Sequence, residues 1–218
     1  MVLKSFDITH VQYDSDDKLG SLVALITLCP IYICVMYATL ILSRRDFQTV
    51  YACIGQMISV GINLVLKHVL KQPRPMFHGM SVDSDDFGMP SNHAQFMFHF
   101  SVFYSLQLLL RSWSLPFHFR CIYSLLILVI AVGVSFTRVY LQYHTVGQVL
   151  VGALIGSITG LIWFVSNVNE ISVIICRQEW AQWLGMRDYS GKLGSYAPVD
   201  EYNLYAQSKQ GELAWKNK

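Results

Sequence analysis

The sequence predicts an all-α integral membrane protein, a bundle of about five transmembrane helices. Three observations carry that reading. Hydrophobic residues make up 53% of the 218 positions and charged residues only 14%, whereas a soluble domain carries about 25% charged residues. The apolar residues come in long blocks instead of alternating with polar ones. The remaining charges gather at the ends of those blocks.

Taken in order, residues 21–43 contain no charge and end at Arg44 and Arg45. Residues 47–66 are uncharged but include Gln48, Gln56, Ser59 and Asn63. Residues 94–110 hold Gln95 and His99, and residues 121–137 are strongly apolar. The last span, 145–167, carries Gly147, Gly152, Gly156 and Gly160, a spacing that predicts one flat stripe for close helix packing. Residues 171–186 are short and include Trp180 and Trp183, which suits an interfacial helix. Residues 1–190 then form one membrane domain and 191–218 a polar cytoplasmic tail. The start of the chain carries Asp7, Asp14, Asp16 and Asp17, unlike a basic and apolar cleavable signal, so the first span does the targeting. Cys29, Cys34, Cys53, Cys121 and Cys176 show no metal-ligand spacing and read as small buried hydrophobes. A net charge of +2 with no basic run argues against nucleic acid as a partner.

Five spans fix sidedness. Arg44, Arg45, Arg111, Arg120 and the basic residues of the tail fall on the side opposite the N-terminus. The positive-inside rule makes that side cytoplasmic and puts the N-terminal side in a lumen or outside.

Three polar clusters fall at span ends on the N-terminal side. The first is Lys67 with Arg74 and Pro75, nearly two helical turns apart, so that both cations can point one way. The second is Pro90-Ser91-Asn92-His93, with Ser91 placed to cap a helix whose N-terminus attracts anions. The third is Arg138, then His144, then Gln148 one turn later. Together they supply fixed cations, free backbone donors and two imidazoles. Phosphoryl transfer needs such positive charge around the equatorial oxygens, a nucleophile and a proton donor. Charges at the membrane are costly, so they mark function by default. A lone cation here would read as an interfacial anchor, and a lone histidine as a packing residue; the clustering argues against both.

Lys67-x6-Arg74-Pro75, Pro90-Ser91-Asn92-His93 and Thr137-Arg138-x5-His144-x3-Gln148 resemble the three signatures of the type 2 phosphatidic acid phosphatase superfamily. The pattern there is Lys-x6-Arg-Pro, Pro-Ser-Gly-His and Ser-Arg-x5-His-x3-Asp, so Asn92, Thr137 and Gln148 depart from it. Phe87 to Met97, Arg138 to Thr145 and Thr9 to Tyr13 look like the dolichyldiphosphatase branch, where Gln also stands for Asp. The resemblance implies a phosphatidic acid phosphatase type 2 / haloperoxidase-like bundle. It also implies hydrolysis of a dolichyl (polyprenyl) pyrophosphate in the endoplasmic reticulum membrane, recycling the glycan carrier of protein N-glycosylation. His144 would be the nucleophile, passing through a phosphohistidine, and His93 the general acid. Lys67, Arg74, Ser91, Asn92 and Arg138 would hold the phosphate. Gln148 would orient His144 through its amide oxygen but bring no charge.

The resemblance implies no metal and no cofactor, and Asp83, Asp85 and Asp86 read as a solvated acidic loop. His10, His68, His78, His99 and His118 read as interfacial or packing residues. Two other readings stay open. One is a phosphatase of a different lipid phosphate, such as phosphatidate or a sphingoid phosphate. The other is a non-catalytic lipid-binding scaffold, which Asn92 and Gln148 alone favour.

Overall fold

Pro30 divides the first apolar block. In the computed structural model, which describes residues 3–6, 11–14, 17–75, 87–112, 115–166 and 184, helix α1 (Gly20–Ile26) stops and helix α2 (Cys29–Arg44) begins with Pro30 in its first turn. Proline offers no N–H to the Ile26 carbonyl, and its ring crowds that oxygen. Thr27 and Leu28 form the joint, where the Leu28 N–H donates to the Leu25 carbonyl at 3.1 Å. The expected unbroken helix over 21–43 is therefore two helices.

The other four blocks are helical with ends shifted by a few residues: α3 (Phe47–Leu70), α4 (Asn92–Arg111), α5 (Phe117–Tyr140) and α6 (Val146–Val165). The stretch Gly20–Arg44 and helices α3, α5 and α6 are each long and apolar enough to cross a membrane. Helix α4 matches them in length with 20 residues but is more polar. Its position explains this: α4 packs against α6, α5, α3 and α2. A helix enclosed by others meets protein groups, so its polar side chains find partners instead of lipid.

Those partners form a buried seam. Gln56, Ser59 and Asn63 share one face of α3 and are all but fully buried. Asn63 Nδ2 donates to Gln95 Oε1 at 2.8 Å, and Gln95 Nε2 donates to the Ser59 carbonyl at 2.7 Å. The Ser59 hydroxyl lies 3.1 Å from Thr159 Oγ1, which in turn lies 3.1 Å from His99 Nδ1. Three of the four polar positions that set the second block apart, Gln56, Ser59 and Asn63, thus face inward, while Gln48 is half-buried, and His99 is a packing residue. His68 and His118 are exposed.

The glycine stripe is real but shorter than expected. Gly152, Gly156 and Gly160 press against the backbone of Ser91, Gln95 and His99, so that a Cβ at any of them would collide with a main-chain oxygen of α4. Gly147 sits five residues before Gly152, off this face, where a Cβ would meet only Thr145 Oγ1 at 4.0 Å. The small residues let α4 and α6 approach along the line that carries both histidine-bearing ends.

The bundle is all-α as expected, with one short hairpin added at its N-terminal end. Strands β1 (Leu3–Phe6) and β2 (Val11–Asp14) pair antiparallel, Leu3 opposite Asp14 and Phe6 opposite Val11. Val11 packs with Ala24, Leu28 and Leu141, tying the hairpin to the α5–α6 connection. Among the described residues, Cys34 is exposed, and Cys29, Cys53 and Cys121 are half-buried free thiols, Cys53 and Cys29 packed against the buried core. The expected interfacial helix over 171–186, apart from Leu184, lies outside the described residues. So do the tail, His10, His78, Cys176, Asp83, Asp85 and Asp86.

Candidate active site

The first cluster forms where α3 ends. Lys71 adopts a left-handed conformation with φ 47°, and its N–H donates to the Lys67 carbonyl at 3.0 Å, closing the helix one turn after Lys67. Arg74 therefore does not continue a helical face, as the spacing had suggested. The turn at Lys71 and the prolines at 73 and 75 carry it away from the axis. A bridge between Pro73 and Phe87, with the Gly88 N–H donating to the Gln72 carbonyl at 2.7 Å, ties this segment to the next cluster.

The second cluster begins α4. Asn63 Nδ2 donates to the Pro90 carbonyl at 3.3 Å, and the Ser91 N–H donates to the Gln148 carbonyl at 3.1 Å. Ser91 occupies the cap position of α4, but its hydroxyl makes no cap hydrogen bond. That is a correction to the sequence reading, and its reason is local. The turn is held by the Ser91 backbone and by Asn63, without a hydrogen bond from the hydroxyl. Among the described residues, Ser91 Oγ and Asn92 Oδ1 are instead buried polar atoms without partners, and the Ser91 side chain does not cap the first turn of α4.

The third cluster explains its own spacing. Helix α5 ends at Tyr140, Gln142 turns left-handed with φ 57°, and the N–H groups of Tyr143 and His144 both donate to the Arg138 carbonyl, at 3.0 and 3.1 Å. Six residues are what this loop needs to fold His144 back over Arg138. Thr145 then starts α6 with a capping box: its hydroxyl accepts from the Gln148 N–H at 3.3 Å, and Gln148 Oε1 accepts from the Thr145 N–H at 3.2 Å.

Gln148 is 1% exposed and makes contacts at both ends of its amide. Its Nε2 donates to the Pro73 carbonyl at 2.9 Å and faces Gln72 Oε1 at 3.4 Å, while Oε1 lies 3.2 Å from His144 Nδ1. A carbonyl can only accept, so the NH2 must face Pro73 and the oxygen must face His144. His144 Nδ1 then carries the proton, and Nε2 keeps a lone pair. The sequence placed Gln148 beside His144; it did not show that the amide also binds the Lys67–Arg74 segment. Gly88 makes room for this, since a Cβ there would collide with the Gln148 amide.

The charged side chains of the three clusters act on one another electrostatically. His93 feels Arg138, His144, Arg74 and Lys67, and His144 feels Arg138, Arg74 and Lys67. His144 is 4% exposed and Arg138 5%. Burial, followed by Arg138 and Arg74, pushes the His144 imidazole down from 6.5 to about 3, against a smaller upward pull from Gln148. The His144 imidazole is thus neutral near pH 7. The Arg138 guanidinium stacks 4.2 Å from the Tyr143 ring centroid, and its Nη1 donates to Thr27 Oγ1 at 3.1 Å. Sequence reasoning passed over Thr27, Gln72 and Tyr143. Asn63 was visible as a polar residue in an apolar block, without a role.

Comparison with known proteins shows the family. Residues 48–172 match the family model described as the PAP2 superfamily. The chain is 37% identical to dolichyldiphosphatase 1 of Homo sapiens, over 78% of this chain and 74% of that protein. It is 35% identical to dolichyldiphosphatase of Saccharomyces cerevisiae, over 78% of this chain and 73% of that protein. It is also 36% identical to lipid phosphate phosphatase gamma of Arabidopsis thaliana, over 86% of this chain and 85% of that protein. No solved structure matches.

Proposed function

The chain belongs to the PAP2 superfamily, within its dolichyldiphosphatase branch, and from that premise we propose that it hydrolyses dolichyl diphosphate to dolichyl phosphate and inorganic phosphate. The observation that carries the chemistry is the contact of His144 Nδ1 with Gln148 Oε1, whose amide is fixed by Pro73, with His93, Lys67, Arg74 and Arg138 near enough to act on the ring or on one another.

His144 Nε2 attacks the terminal phosphorus. The phosphoanhydride P–O bond breaks, and the leaving oxygen of dolichyl phosphate takes a proton from His93. Water then attacks the phosphohistidine, His93 takes back a proton, and inorganic phosphate leaves with His144 restored. Gln148 keeps the imidazole in the correct tautomer throughout, but as a neutral amide it stabilises the imidazolium less than a carboxylate would. Lys67, Arg74 and Arg138 neutralise the equatorial oxygens, and the first turn of α4 supplies further donors through the Ser91 hydroxyl and the backbone N–H groups of Asn92 and His93. The substrate's own negative charge supports a protonated His93 among these cations.

The membrane setting follows the same reading. The three clusters lie at the ends of α3 and α5 and the starts of α4 and α6, while Arg45 at the other end hydrogen-bonds the Leu184 carbonyl at 3.3 Å. The pocket then faces the lumen of the endoplasmic reticulum, the tail faces the cytoplasm, and the dolichyl chain lies in the bilayer. Residues 1–190 act as one membrane domain. The test is a substrate panel in mixed micelles with the wild type and His144→Ala. Dolichyl diphosphate should be preferred over phosphatidate and a sphingoid phosphate, and His144→Ala should be inactive yet folded. Equal rates on all lipids would remove the substrate assignment, and an undiminished His144→Ala would leave a scaffold or another chemistry.

A further inference from the structure

We propose that Thr27 is a positioning residue that aims the Arg138 guanidinium at the transferred phosphoryl group, an inference that rests on the reading of the pocket above. Thr27 sits in the joint that Pro30 imposes between α1 and α2 and is 0% exposed. Its Oγ1 accepts from Arg138 Nη1 at 3.1 Å and lies 3.0 Å from the Thr137 hydroxyl. Thr137 is fixed in turn by the Val134 carbonyl at 2.7 Å. The Tyr143 ring holds the face of the guanidinium, with Cζ 4.2 Å from its centroid.

With one Nη1 N–H committed to Thr27 and one face covered by Tyr143, the guanidinium is held so that its Nε side is turned away from both. Arg138 Nε is buried and has no hydrogen-bond partner. Leaving an N–H of a buried cation unbonded is costly, and the Nε–Nη2 edge has the geometry that engages two oxygens of a phosphoryl group at once. The first span therefore does more than anchor the chain. Its break delivers a hydroxyl to the last turn of α5 and sets which edge of Arg138 meets the substrate. Without that hydroxyl the guanidinium could turn its end to the phosphate and lose the paired contact.

The test compares Thr27→Val, which keeps the shape and removes the hydroxyl, with Thr27→Ser, which keeps the hydroxyl. Two readouts are taken: kcat and KM on dolichyl diphosphate in mixed micelles, and inhibition by inorganic vanadate, together with the melting temperature in detergent. Loss of one hydrogen bond to a charged group predicts vanadate inhibition weaker by about tenfold in Thr27→Val and a matching fall in kcat/KM. Thr27→Ser should stay within about threefold of wild type, with the melting temperatures unchanged. If Thr27→Val does not fold, Thr27→Ala removes the same hydroxyl without adding a methyl group. Wild-type behaviour in the hydroxyl-free variant, or equal losses in the Val and Ser variants, would overturn the proposal. A wild type that binds vanadate but prefers another lipid would remove only the substrate assignment, and Thr27 would be judged on vanadate. A wild type blind to vanadate and inactive on every lipid phosphate would overturn the pocket reading and Thr27 together.

Discussion

Gln148 is the residue whose replacement says most about how the pocket works. Gln148→Leu keeps the volume and removes both poles of the amide. His144 Nδ1 then loses an acceptor at 3.2 Å, and the Pro73 carbonyl loses a donor at 2.9 Å. A buried group stripped of its partner costs about 1–3 kcal/mol. If the cost at His144 falls on the transition state, kcat drops about 5- to 160-fold at 1.36 kcal/mol per decade. Gln148→Glu separates orientation from charge. Its carboxylate still accepts from His144 Nδ1 but cannot donate to Pro73. The added negative charge favours the imidazolium, so the His144 pKa rises from its value of about 3. Attack needs the neutral ring, so the acid limb of kcat/KM moves to higher pH in this variant. In the wild type, His144 stays unprotonated until pH falls toward about 3 and sets no limb near neutrality. The assay is phosphate release in micelles across a pH series, with each variant held well below its melting temperature. A Gln148→Leu enzyme within about twofold of wild type, or a Gln148→Glu profile that overlays it, would refute the reasoning.

Three further outcomes follow from the packing and the charges. Gly156→Ala places a Cβ into the Gln95 main chain; forcing α4 and α6 apart should cost about 1–3 kcal/mol, read as a lower melting temperature in detergent, whereas Gly147→Ala should be nearly silent. Asp46 is 1% exposed and caps α3 through the N–H groups of Gln48 and Thr49, at 3.2 and 3.1 Å. Asp46→Ala should destabilise by about 1–2 kcal/mol without changing KM, which thermal unfolding and kinetics together would check. His144 also makes stability acid-sensitive. An unfolded imidazole binds a proton near 6.5 and the folded one only near 3, so stability falls as pH drops through that window. His144→Gln should flatten that part of the melting curve against pH.

Much of the candidate site is legible because charge at a membrane boundary is expensive and stands out against apolar blocks. Lys67, Arg74, His93, Arg138 and His144 announced themselves in this way. Their geometry was less legible. The Lys67–Arg74 spacing invited a helical face, but the left-handed turn at Lys71 depends on how the loop returns to Phe87, which local sequence does not state. Ser91 looked like a cap because composition records a hydroxyl and not its direction. Thr27 vanished inside an apolar block even though Pro30, three residues on, gave the one available hint of a break. The N-terminal hairpin was missed because its pairing is short and the surrounding residues carry no strong alternation. Helix α4 was found by its block, and its polar residues made sense only once it was seen to be enclosed.

The most direct measurement is to supply dolichyl diphosphate labelled in its terminal phosphate, quench in alkali during turnover, and locate the label by peptide mapping. Wild type should carry alkali-stable, acid-labile phosphate on His144, and His93→Ala should accumulate it or form it slowly without moving it. Label on any other residue, or full turnover with His144 replaced by Ala, would contradict the account.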